Sequence, residues 1–274
     1  SLGLAPALLS SIERTGFTTP TPVQMAAIPP AMAGSDLMVS SQTGSGKTLA
    51  FGLPLLQILW QQIAEQTMAK SVPAANPLAL VLVPTRELAQ QVTIALHVLA
   101  SKLSSSLNIQ LLCGGIAQEE QLAELAAKPK FVVATPGRLL DLCTQSYIRL
   151  DSIKYLVLDE ADRLLEMGFW PDVQKLMAMM PKRKQTLLFS ATLPEALDSL
   201  AGKLLSNDPL RVEASTRNAV AAEIEERLYL VNKGSKAQAL IALLKQYQWS
   251  QVLVFISARD DADAIAKRLI KAGI

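Results

Sequence analysis

Residues 41–48 read Ser41-Gln42-Thr43-Gly44-Ser45-Gly46-Lys47-Thr48, between an apolar run, Asp36 to Ser40, and a segment of helical periodicity. Glycines there let successive backbone N–H groups curl around phosphate oxygens, and the helix N-terminus adds its dipole. Lys47 is placed to reach the outer phosphates of a nucleoside triphosphate, and the Thr48 hydroxyl to ligate Mg²⁺. The general G-x-x-x-x-G-K-[ST] pattern begins with glycine where this chain has Ser41, so the strand before and the helix after carry part of the assignment. A second chemical cluster is Tyr155-Leu156-Val157-Leu158-Asp159-Glu160-Ala161-Asp162, an apolar run ending in three carboxylates. At the carboxyl end of a buried parallel strand, Asp159 could hold Mg²⁺ through its water shell and Glu160 could orient or deprotonate an attacking water. Alone, such carboxylates could equally complement a helix dipole. A triphosphatase needs both clusters, and this chain has both.

These loops require a sheet to hold them. Short aliphatic runs at Asp36 to Ser40, Leu78 to Val83, Ile109 to Cys113, Phe131 to Ala134, Tyr155 to Leu158 and Thr186 to Phe189 read as strands buried on both faces. Helical segments such as Arg86 to Ser101, Gln118 to Ala127 and Pro171 to Met180 lie between them, which predicts a doubly wound parallel α/β sheet. The stretch Ser206 to Ala222 reads as a connection between domains. Beyond it, Glu225 to Val231, a helix around Lys236 to Tyr247, a strand Gln251 to Ile256 and a helix Asp260 to Ala272 begin a second βαβα pattern. The expected division is therefore a first domain over 1–209, a linker over 210–223 and the start of a second domain over 224–274, with the chain a fragment of a longer protein. Its apolar strands, Leu228 to Val231 and Val252 to Ile256, are expected to need cover, from a second copy or from further residues of the parent.

Composition narrows the class without choosing a partner. Half of the 274 residues are hydrophobic, which excludes a chain that is mainly disordered. Twenty-six basic against 24 acidic residues give a net charge of +2, too little to announce a nucleic-acid binder. Cys113 and Cys143 have no disulfide or metal-ligand spacing and read as free core thiols in a reducing cytosol. No apolar stretch approaches a membrane span, so the expectation is a soluble, cytoplasmic protein. His97 reads as a packed or surface residue, Met177, Met179 and Met180 as core filler, and Lys182-Arg183-Lys184 as a solvated loop.

With the phosphate loop and Asp159-Glu160-Ala161-Asp162 in hand, the chain resembles the DEAD-box ATP-dependent RNA helicases of superfamily 2, over about Gly3 to Ile274. Gly16 to Gln24 resembles that family's Q motif, which implies that Gln24 reads the adenine edge, with Phe17 beside the base and Thr19 nearby. The loop Ser41, Gln42, Thr43, Gly44, Ser45, Gly46, Lys47 and Thr48 would then bind ATP, with Mg²⁺ on Thr48 and Asp159 and with Lys47, Asp159 and Glu160 catalytic. Pro84-Thr85-Arg86, Gly114-Gly115 and Thr135-Pro136-Gly137-Arg138 resemble the family's grips on the RNA backbone. Ser190-Ala191-Thr192 resembles the motif that hydrogen-bonds Asp162 and couples ATP state to strand separation. Two departures stand out: the further upstream aromatic of the Q motif would fall before Ser1, and Ala258 stands where a later motif usually has a hydroxyl. The wording of Arg163 to Phe169 and Lys184 to Pro194 resembles bacterial RhlE-type members.

The implied fold is a RecA-like first domain plus the opening of a second. The implied activity is ATP-dependent unwinding or remodelling of RNA duplexes and RNA–protein complexes. This chain itself would bind nucleotide but turn over poorly, because the arginine fingers belong to later motifs. RNA is the implied partner, contacted on its backbone, and ribosome-assembly or RNA-decay proteins are compatible with the resemblance. Rivals that remain open are an ATP-gated RNA clamp or scaffold, and a DNA helicase or unrelated phosphate-loop enzyme.

Overall fold

The computed structural model describes residues 2–68, 76–103, 107–181, 183–205, 209–214, 225 and 227–274. Contacts divide the chain into two units, 1–217 and 218–274.

The first unit is built on seven strands: β1 (Leu37–Ser40), β2 (Ala79–Leu82), β3 (Ile109–Leu112), β4 (Phe131–Ala134), β5 (Tyr155–Leu158), β6 (Gln185–Ser190) and β7 (Leu210–Glu213). All pair in parallel, in the order β3-β4-β2-β5-β6-β1-β7. Parallel neighbours need crossover connections, and helices supply them on both faces. Because side chains alternate along a strand, each strand splits between two cores. Leu37, Val39, Ala79, Val81, Phe131, Val133, Val157 and Phe189 meet helices α1 (Pro6–Arg14), α2 (Pro22–Met32), α3 (Lys47–Met68) and α4 (Arg86–Ala100). Met38, Leu80, Leu82, Val132, Leu156, Leu158 and Leu188 meet α6 (Pro136–Thr144), α7 (Ala161–Glu166), α8 (Trp170–Ala178) and α9 (Glu195–Leu204). The helix α5 (Gln118–Leu125) lies beside β3. Burial on both faces is why the inner strands carry continuous aliphatic runs. At the centre of the first core, Phe51 and Phe189 meet edge to face, with centroids 5.4 Å apart.

Six expected strands occur within a residue or two of their sequence positions. The connection Ser206 to Ala222 is corrected in part: Leu210–Glu213 leaves it and joins the sheet as an edge strand beside β1. Only Val212 of this strand is buried, so it reads Leu-Arg-Val-Glu, with neither the length nor the apolar run of an inner strand. Residues 206–208 and 215–224, and Lys182 of the basic run, lie outside the described residues.

In the second unit the helices α10 (Lys236–Tyr247) and α11 (Arg259–Lys271) form where the periodicity places them. The strands do not. Among the described residues, Leu228 to Val231 and Val252 to Ile256 pair with nothing, and Leu230 and Phe255 are exposed. A strand exists only through its hydrogen-bonded neighbours, and two short runs alone are marginal in water. Locally, Tyr247 stacks on Trp249 with centroids 4.9 Å apart, and the Arg227 guanidinium sits 5.0 Å from the Tyr247 ring centre.

Among the other expectations, Cys113 is buried but Cys143 is only half-buried. Met177 and Met180 are core residues while Met179 is exposed, and His97 is exposed on α4. Among the described residues, no helix is long and apolar enough to cross a membrane.

Candidate functional site

The loops at Ser41 to Thr48, Pro84 to Arg86, Gly114-Gly115, Thr135 to Arg138, Asp159 to Asp162 and Ser190 to Thr192 all leave the same, carboxyl edge of the sheet. Strand pairing continues one residue past the strands and so fixes where each loop starts. Ser41 N–H donates to Ser190 O (3.0 Å), Asp159 N–H to Leu82 O (3.0 Å), Val83 N–H to Ala134 O (3.0 Å) and Thr135 N–H to Leu112 O (3.0 Å). Strand order then sorts the loops. The contiguous strands β5, β6 and β1 carry Asp159 to Asp162, Ser190 to Thr192 and Ser41 to Thr48, and the contiguous strands β3, β4 and β2 carry Gly114-Gly115, Thr135 to Arg138 and Pro84 to Arg86.

On the first half, Gly44 (φ +81°) and Gly46 (φ +93°) take left-handed conformations that other residues adopt only under strain. The loop folds on itself through the Ser41 and Ser45 hydroxyls, 2.6 Å apart, so Ser41 contributes a contact that glycine could not. Lys47 is buried, and its Nζ donates to Ser41 O at 2.8 Å. A cavity of about 450 Å³ opens among Thr43, Gly44, Lys47, Thr48, Asp159 and Glu160. Phe17, half-exposed, lines it and also a neighbouring apolar cavity of about 190 Å³ with Thr19, Gln24, Ile28, Leu49 and Leu53.

Gln24 is buried and occupied on both sides. Its Oε1 accepts from Thr21 N–H (3.0 Å), and its Nε2 donates to Gly46 O (3.2 Å). It therefore braces the start of α2 against the phosphate loop. The Thr-x-x-Gln spacing is a capping-box signature, so the first contact could have been read from sequence. The contact to Gly46 joins residues 22 apart and could not.

Burial pushes the Asp159 carboxyl up to about 6, although Lys47 and the Glu160 N–H, which donates to Oδ1 at 2.9 Å, pull it down. Glu160 is left-handed (φ +49°, ψ +51°), a conformation that costs a non-glycine residue about 1–3 kcal/mol and is typical of functional positions. Its Oε2 accepts from Arg163 at 2.9 Å, a partner that the sequence reading passed over. Asp162 Oδ2 accepts from both the N–H (3.0 Å) and the hydroxyl (2.9 Å) of Thr192, and the Asp162 N–H donates to Ser190 Oγ (3.1 Å). Burial would raise the Asp162 carboxyl, but the stabilisation of its charge by Thr192 first, with smaller contributions from the Ser190 hydroxyl and the Arg163 N–H, outweighs burial and holds the group below its ordinary value.

On the second half, Arg86 donates to Gly115 O (3.2 Å) and Arg138 to Ile116 O (3.3 Å), so two guanidinium groups converge on the exposed Gly114-Gly115 turn. A Cβ on Gly115 (φ +78°) would collide with the Arg86 guanidinium. Thr85 caps α4 by accepting from Leu88 N–H (3.2 Å). Pro84 and Pro136 are buried, so they shape their turns and present no side chain to a ligand, while Gly137 faces open space.

A doubly wound parallel sheet with a lysine-bearing glycine loop after one strand and an Asp-Glu pair after another defines a phosphate-loop nucleotide-binding domain of the RecA-like type. The sequence profile of the DEAD/DEAH box helicase family matches residues 21–200, and the chain belongs to that family. The human protein named probable ATP-dependent RNA helicase DDX46 is 36% identical over 276 residues, spanning 98% of this chain and 26% of that protein. ATP-dependent RNA helicase DbpA of Escherichia coli is 40% identical over 270 residues, 98% of this chain and 56% of its own. The chain thus spans between about a quarter and about half of these curated relatives. Among solved structures, a DEAD box protein from Methanococcus jannaschii aligns over 99% of this chain and 69% of its own, with a TM-score of 0.68 and 34% identity.

Proposed function

We propose that this chain is the ATP-binding part of an RNA-dependent ATPase that unwinds or remodels RNA duplexes and RNA–protein complexes. One observation carries the reading: nucleotide-type loops and RNA-type loops occupy adjacent halves of one sheet edge, and Asp162, beside the Asp159-Glu160 pair, is hydrogen-bonded to Thr192. Triphosphate charge suits Lys47 and the backbone N–H groups of the loop. Adenine suits the slot beside Phe17, Thr19 and Gln24, where Gln24 exchanges its contact with Gly46 or Thr21 for the base edge.

Magnesium fits this donor set. Among the described residues no cluster of three or more His, Cys, Asp or Glu could cage a metal, but Asp159 and Thr48 line one cavity with Lys47. Mg²⁺ keeps most of its water and takes one or two protein oxygens plus phosphate oxygens. When bound there it supplies charge neutralisation to the phosphates. Asp159 would hold it through water and Thr48 through its hydroxyl. Glu160 would orient or deprotonate the attacking water, and Lys47 would neutralise phosphate charge.

Arg86 and Arg138, with the turn at Gly114-Gly115 and the helix start at Thr135, would hold RNA by its backbone, with little sequence preference. The relatives named for RNA helicase activity support RNA over DNA. The motif wording at Arg163 to Phe169 and Lys184 to Pro194 supports the RhlE-type subgroup, the two free cysteines support a cytoplasmic setting, and ribosome-assembly or RNA-decay partners are compatible with the helicase reading. The exposed apolar runs of the second unit support cover by a second copy or by further residues of the parent. The test uses the parent-length protein. ATPase activity should rise with single-stranded RNA and not with DNA of the same sequence, and Glu160→Gln should abolish turnover while ATP and RNA stay bound. Equal stimulation by DNA refutes the RNA assignment. Duplex displacement separates unwinding from the clamp reading.

A further inference from the structure

The free edge of the sheet at β3 offers a site that is independent of the nucleotide and RNA reading. Phe131 N–H donates to Asn108 O (3.1 Å) and Thr135 N–H to Leu112 O (3.0 Å), so Asn108, Gln110 and Leu112 spend their backbone groups on β4. The alternate residues Ile109 and Leu111 must then point theirs outward. Among the described residues nothing bonds to them.

The next outward position is closed. Cys113 N–H donates to Gln121 Oε1, and Cys113 O accepts from Gln121 Nε2, both at 3.1 Å, so a buried side-chain amide stands in for the peptide of a neighbouring strand. The protein has therefore capped one end of this edge and left the adjoining stretch bare. That stretch is also recessed. Leu107 to Leu111 form the floor of a cavity of about 480 Å³, walled by Thr93 and His97 of α4 on one side and by Glu124, Ala127 and Pro129 on the other.

Its polar lining is rich in acceptors. Glu124 is the one carboxylate among the lining residues. Gln110, itself buried, has an Oε1 with no donor while its Nε2 donates to Gln121 O (2.8 Å) and Glu124 (3.5 Å). A buried acceptor without a partner is costly, and the orphan lies on a residue that lines the cavity.

We propose that the β3 edge is a docking site for an extended peptide segment of a partner protein, added as an eighth strand, with a lysine or arginine directed at Glu124. Backbone bonds to Ile109 and Leu111 supply affinity, and the single Glu124 carboxylate supplies selectivity, the division of labour in strand addition. The Gln121 cap limits the added strand to about five residues, roughly 16 Å.

The probe is a fluorescein-labelled hexapeptide, acetyl-Thr-Val-Lys-Val-Thr-Val-amide, titrated with the full chain and followed by anisotropy. Methylating alternate peptide nitrogens should weaken binding by at least about tenfold, and replacing its lysine by norleucine, or Glu124→Gln in the protein, by about three- to tenfold. Leu111→Pro removes one outward N–H without touching the β4 ladder, since edge strands tolerate proline there. It should abolish binding. In case that variant folds poorly, amide exchange at Ile109 and Leu111 in the unaltered protein should slow on peptide addition. The proposal is overturned if the hexapeptide does not bind at millimolar concentration, or binds regardless of methylation, or leaves both amides unprotected. It is also overturned if single-stranded RNA occupies the edge, or if the chain self-associates in a manner that Leu111→Pro abolishes, which would make a second copy the occupant.

Discussion

Gln24 and Gly46 should be energetically coupled, and the sign of the coupling follows from their geometry. A Cβ placed on Gly46 would overlap Gln24 Nε2 and crowd Thr21 Oγ1 at 3.2 Å. Gly46→Ala therefore carries two penalties. A non-glycine residue at φ +93° costs roughly 1–2 kcal/mol. Expelling the Gln24 amide forfeits its bonds to Thr21 N–H and Gly46 O, each about 0.5–1.5 kcal/mol. The sum is about 2–5 kcal/mol. Gln24→Ala alone forfeits the same two bonds, about 1–3 kcal/mol. In the double variant those bonds are lost only once, and the new methyl enters space that the amide has left. The two substitutions together should thus be less damaging than their sum by about 1–3 kcal/mol. Urea unfolding of the four proteins in nucleotide-free buffer measures this directly. Additivity to within about 0.5 kcal/mol would refute the brace between the two motifs.

Three further outcomes are expected. The depressed Asp162 carboxyl contributes stability that is complete above the ordinary carboxylate range and lost as pH falls through and below it. Thr192→Val should accordingly lower stability at pH 7 and flatten the loss between pH 5 and 2, and an unchanged acid limb would contradict the network. Removing Arg86 or Arg138 should weaken RNA binding without changing sequence preference and reduce the slope of log K against log salt by about 1 each, whereas a base-specific loss would refute backbone contact. Burial pushes the Cys143 thiol up to about 11 and raises Cys113 as well, so iodoacetamide at pH 7.5 should label neither within minutes unless urea is present. Rapid labelling of the folded chain would show that these thiols are not held as the structure places them.

Local signals determined much of this protein in advance. Aliphatic runs between helical periods specify buried parallel strands, because only such strands hide both faces. A glycine loop between strand and helix, and carboxylates at a strand end, likewise announce phosphate chemistry from adjacent residues alone. What failed from sequence depends on partners distant along the chain. Leu210–Glu213 becomes a strand only because β1 offers it an open edge, and Leu228 to Val231 does not because, among the described residues, none pairs with it. The same division holds within the site. Gln24 as a cap of α2 follows from a three-residue spacing, but its hold on Gly46, the pairing of Arg86 with the Gly115 turn, and the bond from Thr192 to Asp162 each span 22 to 30 residues. The packing of α2 on α3 decides the first, and strand order decides the other two, because it places loops far apart in sequence on one edge, where hydrogen bonds between them become possible.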